Sequence, residues 1–78
     1  MNDRTSIHDA IFNEELHQEE KWGEQNHNNY KWLAILIEEI GEISKAMLEN
    51  DHSNIEKEII QSAAVCVTWL DCLGRTSH

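Results

Sequence analysis

The sequence has no proline and only three glycines, so little in it would interrupt a helix. It also lacks any run approaching the roughly 20 apolar residues that a membrane-spanning helix needs. The first residues, Met1-Asn2-Asp3-Arg4-Thr5, contain no apolar segment of the kind found in signal peptides. We therefore expect a cytoplasmic protein with no membrane partner.

Basic residues are scarce: six Lys and Arg stand against 15 Asp and Glu, for a net charge of −9. Nucleic acids and anionic membranes are bound by clustered Lys and Arg, so neither is an expected partner. A nucleotide is still compatible with this charge, because metal ions can neutralise its phosphates.

The two cysteines, Cys66 and Cys72, lie six residues apart on one expected helix. At 3.6 residues per turn they do not share a face, so we expect neither a disulfide nor a metal-binding pair. The simplest interpretation is two small hydrophobic side chains in a reduced cytoplasmic protein.

The chain has 78 residues, of which 40% are hydrophobic, and helix-forming residues dominate its middle. These features predict a single all-α domain over residues 1–78, folded as an antiparallel bundle of about three helices. The core of so short a chain is marginal. We therefore expect completion by oligomerisation, as a homodimer or homotetramer.

The expected helices cover residues 6–22, 29–49 and 53–73, with residues 1–5 and 75–78 frayed. Ser53 followed by Glu56 resembles a capping box, and Gly74 is a plausible helix end. Gly41 lies in mid-helix and suggests that another helix or a ligand approaches closely. Apolar residues recur at steps of three and four in the second and third helices, at Leu33, Leu36, Ile37, Ile40, Ile43, Met47 and Leu48, and at Ile59, Ala63, Cys66, Val67, Leu70 and Leu73.

Carboxylates are concentrated beside this apolar pattern. Glu39 and Glu42 share a helix face, which Glu38 flanks, and Glu58 and Gln61 are likewise three residues apart on the next helix. A short turn makes the two helices antiparallel, so both pairs fall at nearly the same height. Converging oxygens beside a core suit Mg²⁺, which predicts metal-dependent chemistry on a phosphorylated substrate. The alternative is an ordinary solvated acidic face.

Three segments in order resemble the MazG-like, all-α nucleoside triphosphate pyrophosphohydrolases, small phage and bacterial type. Glu38-Glu39-x-x-Glu42 and Glu58-x-x-Gln61 are similar to the family's EExxE…ExxD signature, although Gln61 replaces the Asp. The other two similar segments are Gln18-x-x-Lys21-Trp22-Gly23-x-Gln25-x-His27 and the stretch 61–69.

The resemblance implies hydrolysis of a nucleoside triphosphate between its α and β phosphates. Glu39, Glu42, Glu58 and Gln61 would ligate Mg²⁺, with Mn²⁺ as a substitute. Glu38 would hold a further metal ion or position the attacking water.

Other residues complete the expected site. Lys45 is the best candidate for the charge on the leaving pyrophosphate, ahead of Lys31 and Lys57, although a surface ion pair is the simpler role for it. Aromatic and polar residues around 22–32 would bind the nucleotide, or pack the end of the bundle in the case of Trp32. The expected substrate-binding residues are Trp22, Gln25, His27 and Lys31.

Two other interpretations stay open. Glu14-x-x-His17 resembles half of a di-iron motif, but a di-iron site needs that motif twice on suitable helices. The broader alternative is a non-catalytic helical module that binds nucleotide or oligomerises, and the neutral Gln61 favours it.

Overall fold

The computed structural model describes residues 3–76, which fold into three helices with no strand among them. They are α1 (Arg4–Trp22), α2 (Asn29–Leu48) and α3 (His52–Thr76). The all-α prediction is confirmed. None of these helices is both long and apolar enough to span a membrane.

Each helix begins at a side chain that accepts a hydrogen bond from the backbone of its first turn. Asp3 accepts from the Ser6 amide at 2.8 Å, and Asn28 caps α2 through the Lys31 amide at 2.9 Å. At α3 the accepting side chain is Asp51, 3.2 Å from the Asn54 amide, and not the predicted cap Ser53. A carboxylate interacts with the helix dipole more favourably than a hydroxyl, and Asp51 directly follows the turn.

The helices extend further toward the ends of the chain than predicted. Arg4 and Thr5 are helical, and α3 continues past Gly74 through Arg75 and Thr76. The Thr76 hydroxyl donates to the Cys72 carbonyl at 2.9 Å, one turn back. Side-chain contacts thus stabilise the last turn despite the glycine. The expectation of fraying at residues 1, 2, 77 and 78 lies outside the described residues.

The connection between α2 and α3 is a tight reversal at Asn50. Asn50 has a φ of 54°, its amide donates to the Met47 carbonyl, and the Asp51 amide donates to Ala46, both at 3.1 Å. This is the Schellman pattern of helix termination, in which Asn is the commonest substitute for Gly. It brings α3 back along α2 in the antiparallel sense.

The third helix is the centre of the molecule. Within residues 3–76, α1 and α2 each pack against α3 and not against one another. The C-terminal ends of α1 and α3 lie close together. Arg75, near the end of α3, donates a hydrogen bond to the Gln25 carbonyl in the loop that follows α1. This arrangement leaves a cleft between α1 and α2, with α3 as its floor.

The core is small and differs from the predicted one. Its buried apolar residues are Trp32, Ala46, Ala64, Val65 and Cys72. Most of the predicted apolar stripe is exposed, including Leu33, Ile37, Ile40, Met47, Ile59 and Leu70. Helices α2 and α3 are each apolar on more than one side. α2 buries the side that carries Trp32, and α3 buries the side that carries the smaller residues Val65 and Cys72.

At Gly41 no other helix of the same chain makes the close approach that was one of the two possibilities considered. A Cβ placed there meets no described atom within 4 Å, so the chain does not approach itself closely at this point. Both cysteines are free thiols: Cys72 is buried and Cys66 half-buried.

Candidate functional site

The cleft between α1 and α2 has a volume of about 490 Å³ and collects most of the sequence-predicted site residues. We name its two ends by their residues. The acidic end comprises Glu14, Glu38, Glu39 and Gln61, and the loop end comprises Lys21, Trp22, Gln25, His27 and Lys31. Lys31 precedes Glu38 by seven residues on α2, and Lys21 follows Glu14 by seven on α1. Two helical turns, about 10 Å, therefore separate the carboxylates from the cations on both walls.

At the acidic end, Glu39 and Gln61 meet Glu58, a buried carboxylate on α3 that does not itself line the cleft. With its amide nitrogen toward them, Gln61 donates to Glu39 Oε2 at 3.3 Å and to Glu58 Oε2 at 3.0 Å. Glu58 is only 9% exposed, and Ser62, one turn further on, is buried as well. The height match that the sequence predicted thus brings Glu39, Glu58 and Gln61 within contact.

Glu39 is the residue at which negative charge is concentrated. Its pKa is raised above the ordinary value, first by burial and then by the neighbouring charges of Glu58, Glu42, Glu38 and Glu14. The ion pairs among residues 3–76 all involve Arg75, and none reaches Glu39. Burial and neighbouring negative charges favour the protonated form of this carboxyl, and a nearby cation would favour its ionised form.

The Gln61 amide can serve this cluster in two ways. With nitrogen toward the carboxylates it bridges them by two hydrogen bonds, an arrangement that suits the site without a cation. Rotated by half a turn it presents its oxygen, so that three side-chain oxygens face one region. Oxygen ligands of this kind suit Mg²⁺.

The converging set is smaller than the predicted one. Glu42 is exposed one turn beyond Glu39 and does not line the cleft, although its charge reaches Glu39. In the part of the chain that the structure describes, no group of three or more His, Cys, Asp or Glu side chains is arranged to hold a metal ion. The donor chemistry fits Mg²⁺, but the protein alone supplies two carboxylates and one amide, with Glu38 and Glu14 nearby.

The loop end combines aromatic and polar groups. Trp22 is 65% exposed, with Lys21 Nζ 5.0 Å from its ring centre. His27 Nε2 lies 3.1 Å from Gln25 Oε1, and the His27 ring packs edge-on against Trp32 with 4.9 Å between ring centres. Trp32 is buried in the core, which fits packing of the bundle end and not contact with a nucleotide.

The lysines are distributed differently from the prediction. Lys31, one of the predicted substrate-binding residues, lines the cleft. Lys45 and Lys57 are exposed and lie outside the cleft lining, whereas Lys21 is part of it. The lysines that line the cleft are therefore Lys21 and Lys31.

The wall formed by α1 was largely missed by sequence reasoning. Glu14, His17 and Gln18 line the cleft, and Gln18 Nε2 donates to Glu14 at 3.1 Å. The available signal was a polar row at steps of three and four, Glu14-Gln18-Lys21, on a helix with few apolar residues, which Gln25 continues in the loop. Such a row is also typical of a solvated face, so position on the fold decides its meaning.

Comparisons of the chain with protein-family models, with curated proteins and with solved structures give no match.

Proposed function

We propose that this protein is an Mg²⁺-dependent nucleoside triphosphate pyrophosphohydrolase, which releases pyrophosphate and a nucleoside monophosphate. The observation that carries the proposal is the uncompensated charge at Glu39, beside Glu58 and Gln61, in a cleft whose other end holds two lysines. The resemblance of the Glu38–Glu42 and Glu58–Gln61 segments to the MazG-like signature supports the same reaction.

The acidic end would hold the metal ion through Glu39, Glu58 and Gln61, with Glu42 as a further or water-mediated ligand. Bound Mg²⁺ would supply charge neutralisation at the phosphates and a water of lowered pKa. Glu38 is exposed at the cleft, where it can accept a proton from that water.

The loop end would bind the rest of the substrate. Lys31 and Lys21 line the cleft, so we assign them the phosphate contacts in preference to Lys45, which lies outside it. Trp22 presents an accessible ring for stacking, and Gln25 and His27 offer hydrogen-bonding groups for a base edge.

A second copy of the chain would complete the fold. Leu33, Ile37 and Ile40 on α2, with Ile59 and Leu70 on α3, form what we term the apolar face, and each is 45% or more exposed. Burying it in a homodimer or homotetramer removes apolar area from water while α2 keeps Glu38 and Glu39 at the cleft.

The test is pyrophosphate release from a panel of ordinary and modified nucleoside triphosphates with Mg²⁺ and, separately, Mn²⁺. Glu39→Gln should reduce the rate by at least about 100-fold, the upper range for loss of a supporting group around a metal. Glu56→Gln, an exposed carboxylate on α3 outside the cleft, is the matched control and should retain the rate. Equal rates for both variants would overturn the proposal.

The alternative is a non-catalytic module that binds nucleotide or oligomerises. It is favoured by the neutral amide of Gln61, which satisfies the two carboxylates without a cation. Thermal melting separates the two functions when combined with the release assay. Stabilisation by a nucleoside triphosphate without any pyrophosphate release would favour the binding module.

A further inference from the structure

The last turns of α3 contact the loop between α1 and α2, residues 23–28. Trp69 Nε1 donates to Asn29 Oδ1 at 3.0 Å, just past the loop. Cys72 Sγ lies 3.8 Å from the His27 carbonyl oxygen, to which it donates weakly. Arg75 Nη2 donates to the Gln25 carbonyl at 3.0 Å. Residues 69, 72 and 75 lie three apart on one face of α3. They contact residues 29, 27 and 25 respectively, so α3 and the loop run in opposite directions.

Arg75 makes the most extensive of these contacts. Its Nη2 also donates to Asn26 Oδ1 at 3.0 Å, and its Nε lies 3.6 Å from Glu24 Oε1. Its Nη1 pairs with Asp71 one turn back, which orients the guanidinium. The side chain is 31% exposed, so these contacts are partly shielded from water. A guanidinium can reach several acceptors in one plane, which a lysine ammonium cannot reproduce.

His27 is held by Cys72 and Trp32, and Asn28 caps α2, whereas residues 24–26 are held to the rest of the fold through Arg75. The loop contains no regular secondary structure, and it begins at Gly23, whose φ of 73° is in the left-handed region. Yet its residues Gln25 and His27 line the cleft, and their side chains contact each other. The backbone of Gln25 is therefore held by Arg75, while its side chain contacts His27, which also lines the cleft.

We infer that Arg75 is a positioning residue for the substrate: it holds loop 23–28 so that Gln25 and His27 form a preorganised binding wall. The inference rests on the proposed function for the identity of the ligand. Release of the loop adds an ordering cost to each binding event, which weakens substrate affinity. The acidic end lies about two helical turns away, so turnover of bound substrate should change little.

The test compares Arg75→Met and Arg75→Lys with Arg4→Met, which removes an exposed arginine at the opposite end of α1. Hydrogen exchange of the amides of residues 24–28 measures loop release, and exchange of the α2 amides reports that the fold persists. KM and kcat are measured for pyrophosphate release from ATP, GTP, CTP and UTP with Mg²⁺, and affinity for the same four nucleotides by calorimetry.

Arg75→Met should speed loop exchange and raise KM about tenfold, the scale expected for losing charge-assisted hydrogen bonds, with kcat within about twofold. Arg75→Lys should show the same changes to a smaller extent because it keeps the charge but not the planar group. Arg4→Met should show neither change.

Unchanged loop exchange in Arg75→Met would overturn the inference, and so would faster exchange with unchanged KM and affinity. Failure of the proposed function gives a different result. The unsubstituted protein would then neither hydrolyse nor bind any of the four nucleotides, which removes the substrate role of Arg75 whatever the exchange rates.

Discussion

At the scale of single residues, Glu39 predicts how stability depends on pH. Its pKa in the folded protein is raised, so the folded state binds this proton more tightly than the unfolded state does. The stabilising contribution is fully present below the unfolded pKa, and it is lost as pH rises through the raised folded pKa. Once ionised, Glu39 destabilises the metal-free protein.

Glu39→Gln should therefore stabilise the metal-free protein above the raised pKa, since it removes an ionised group that lies beside other carboxylates. The gain should be below about 1 kcal/mol, because Glu39 is partly exposed and solvent screens its neighbours. Melting from pH 4 to pH 8 in the presence of EDTA measures the effect. Glu56→Gln is the control, and a Glu39→Gln profile parallel to that of the unsubstituted protein would show that the charges do not interact.

Gln61 determines how strongly the acidic end should respond to a cation. Gln61→Asp replaces a bridging amide by a third carboxylate, so without metal the variant should melt at a lower temperature. Mg²⁺ should bind the variant about tenfold more tightly, which adds about 1.4 kcal/mol of stabilisation at saturating concentrations.

The measurement is the melting temperature as a function of Mg²⁺ concentration. Gln61→Ala is the matched variant, because it loses the bridge without gaining charge and should respond to Mg²⁺ no better than the unsubstituted chain. An identical Mg²⁺ response in Gln61→Asp and Gln61→Ala would place the cation elsewhere.

At the scale of elements, Asn50 tests the reversal between α2 and α3. Its φ of 54° is unfavourable for most side chains, and Asn tolerates it better than Ala does. Asn50→Ala should destabilise the protein by about 1 kcal/mol, whereas Asn50→Gly should be neutral or stabilising. Urea unfolding measures both variants, with Asn13→Ala on the exposed part of α1 as control. An Asn50→Ala variant as stable as Asn50→Gly would be inconsistent with this conformation.

The elements themselves were largely predictable because their signals are local. Asn28 and Asn29 mark the start of α2 through capping chemistry, and the step from Glu39 to Glu58 across a short turn sets the height match. The cap of α3 was misplaced because Asp51 and Ser53 are both able to cap, and only the turn geometry decides between them.

The tertiary arrangement could not be read from the same local signals. α2 and α3 are apolar on more than one side, so periodicity does not say whether Trp32 or Leu33 faces inward. The α1 wall of the cleft, with Glu14 and Lys21, depends on α1 packing against α3. The polar row on α1 can be recognised as a wall of the cleft only when the packing of the helices places α2 opposite it.

At the scale of the whole molecule, the buried core is small for the number of exposed apolar side chains. Chains below about 80 residues rarely gain more than about 3–5 kcal/mol from a single core. The apolar face lies on α2 and α3, the two helices that also carry Glu39, Glu58 and Gln61. Self-association would therefore stabilise the helices that hold the site, and stability should rise with protein concentration.

Ile37→Lys tests this coupling, because Ile37 is 58% exposed in the single chain and adjoins Glu38. The unsubstituted protein should sediment as a dimer or tetramer, and the variant should sediment as a monomer of lower melting temperature. Phe12→Lys is the matched control, since Phe12 is 55% exposed but lies on α1, away from the apolar face. A charge on α1 should leave the assembly intact.

If the unsubstituted chain sediments as a monomer at every concentration, or if Phe12→Lys dissociates it as well as Ile37→Lys does, the apolar face is not the interface. The exposed apolar residues would then need a different partner.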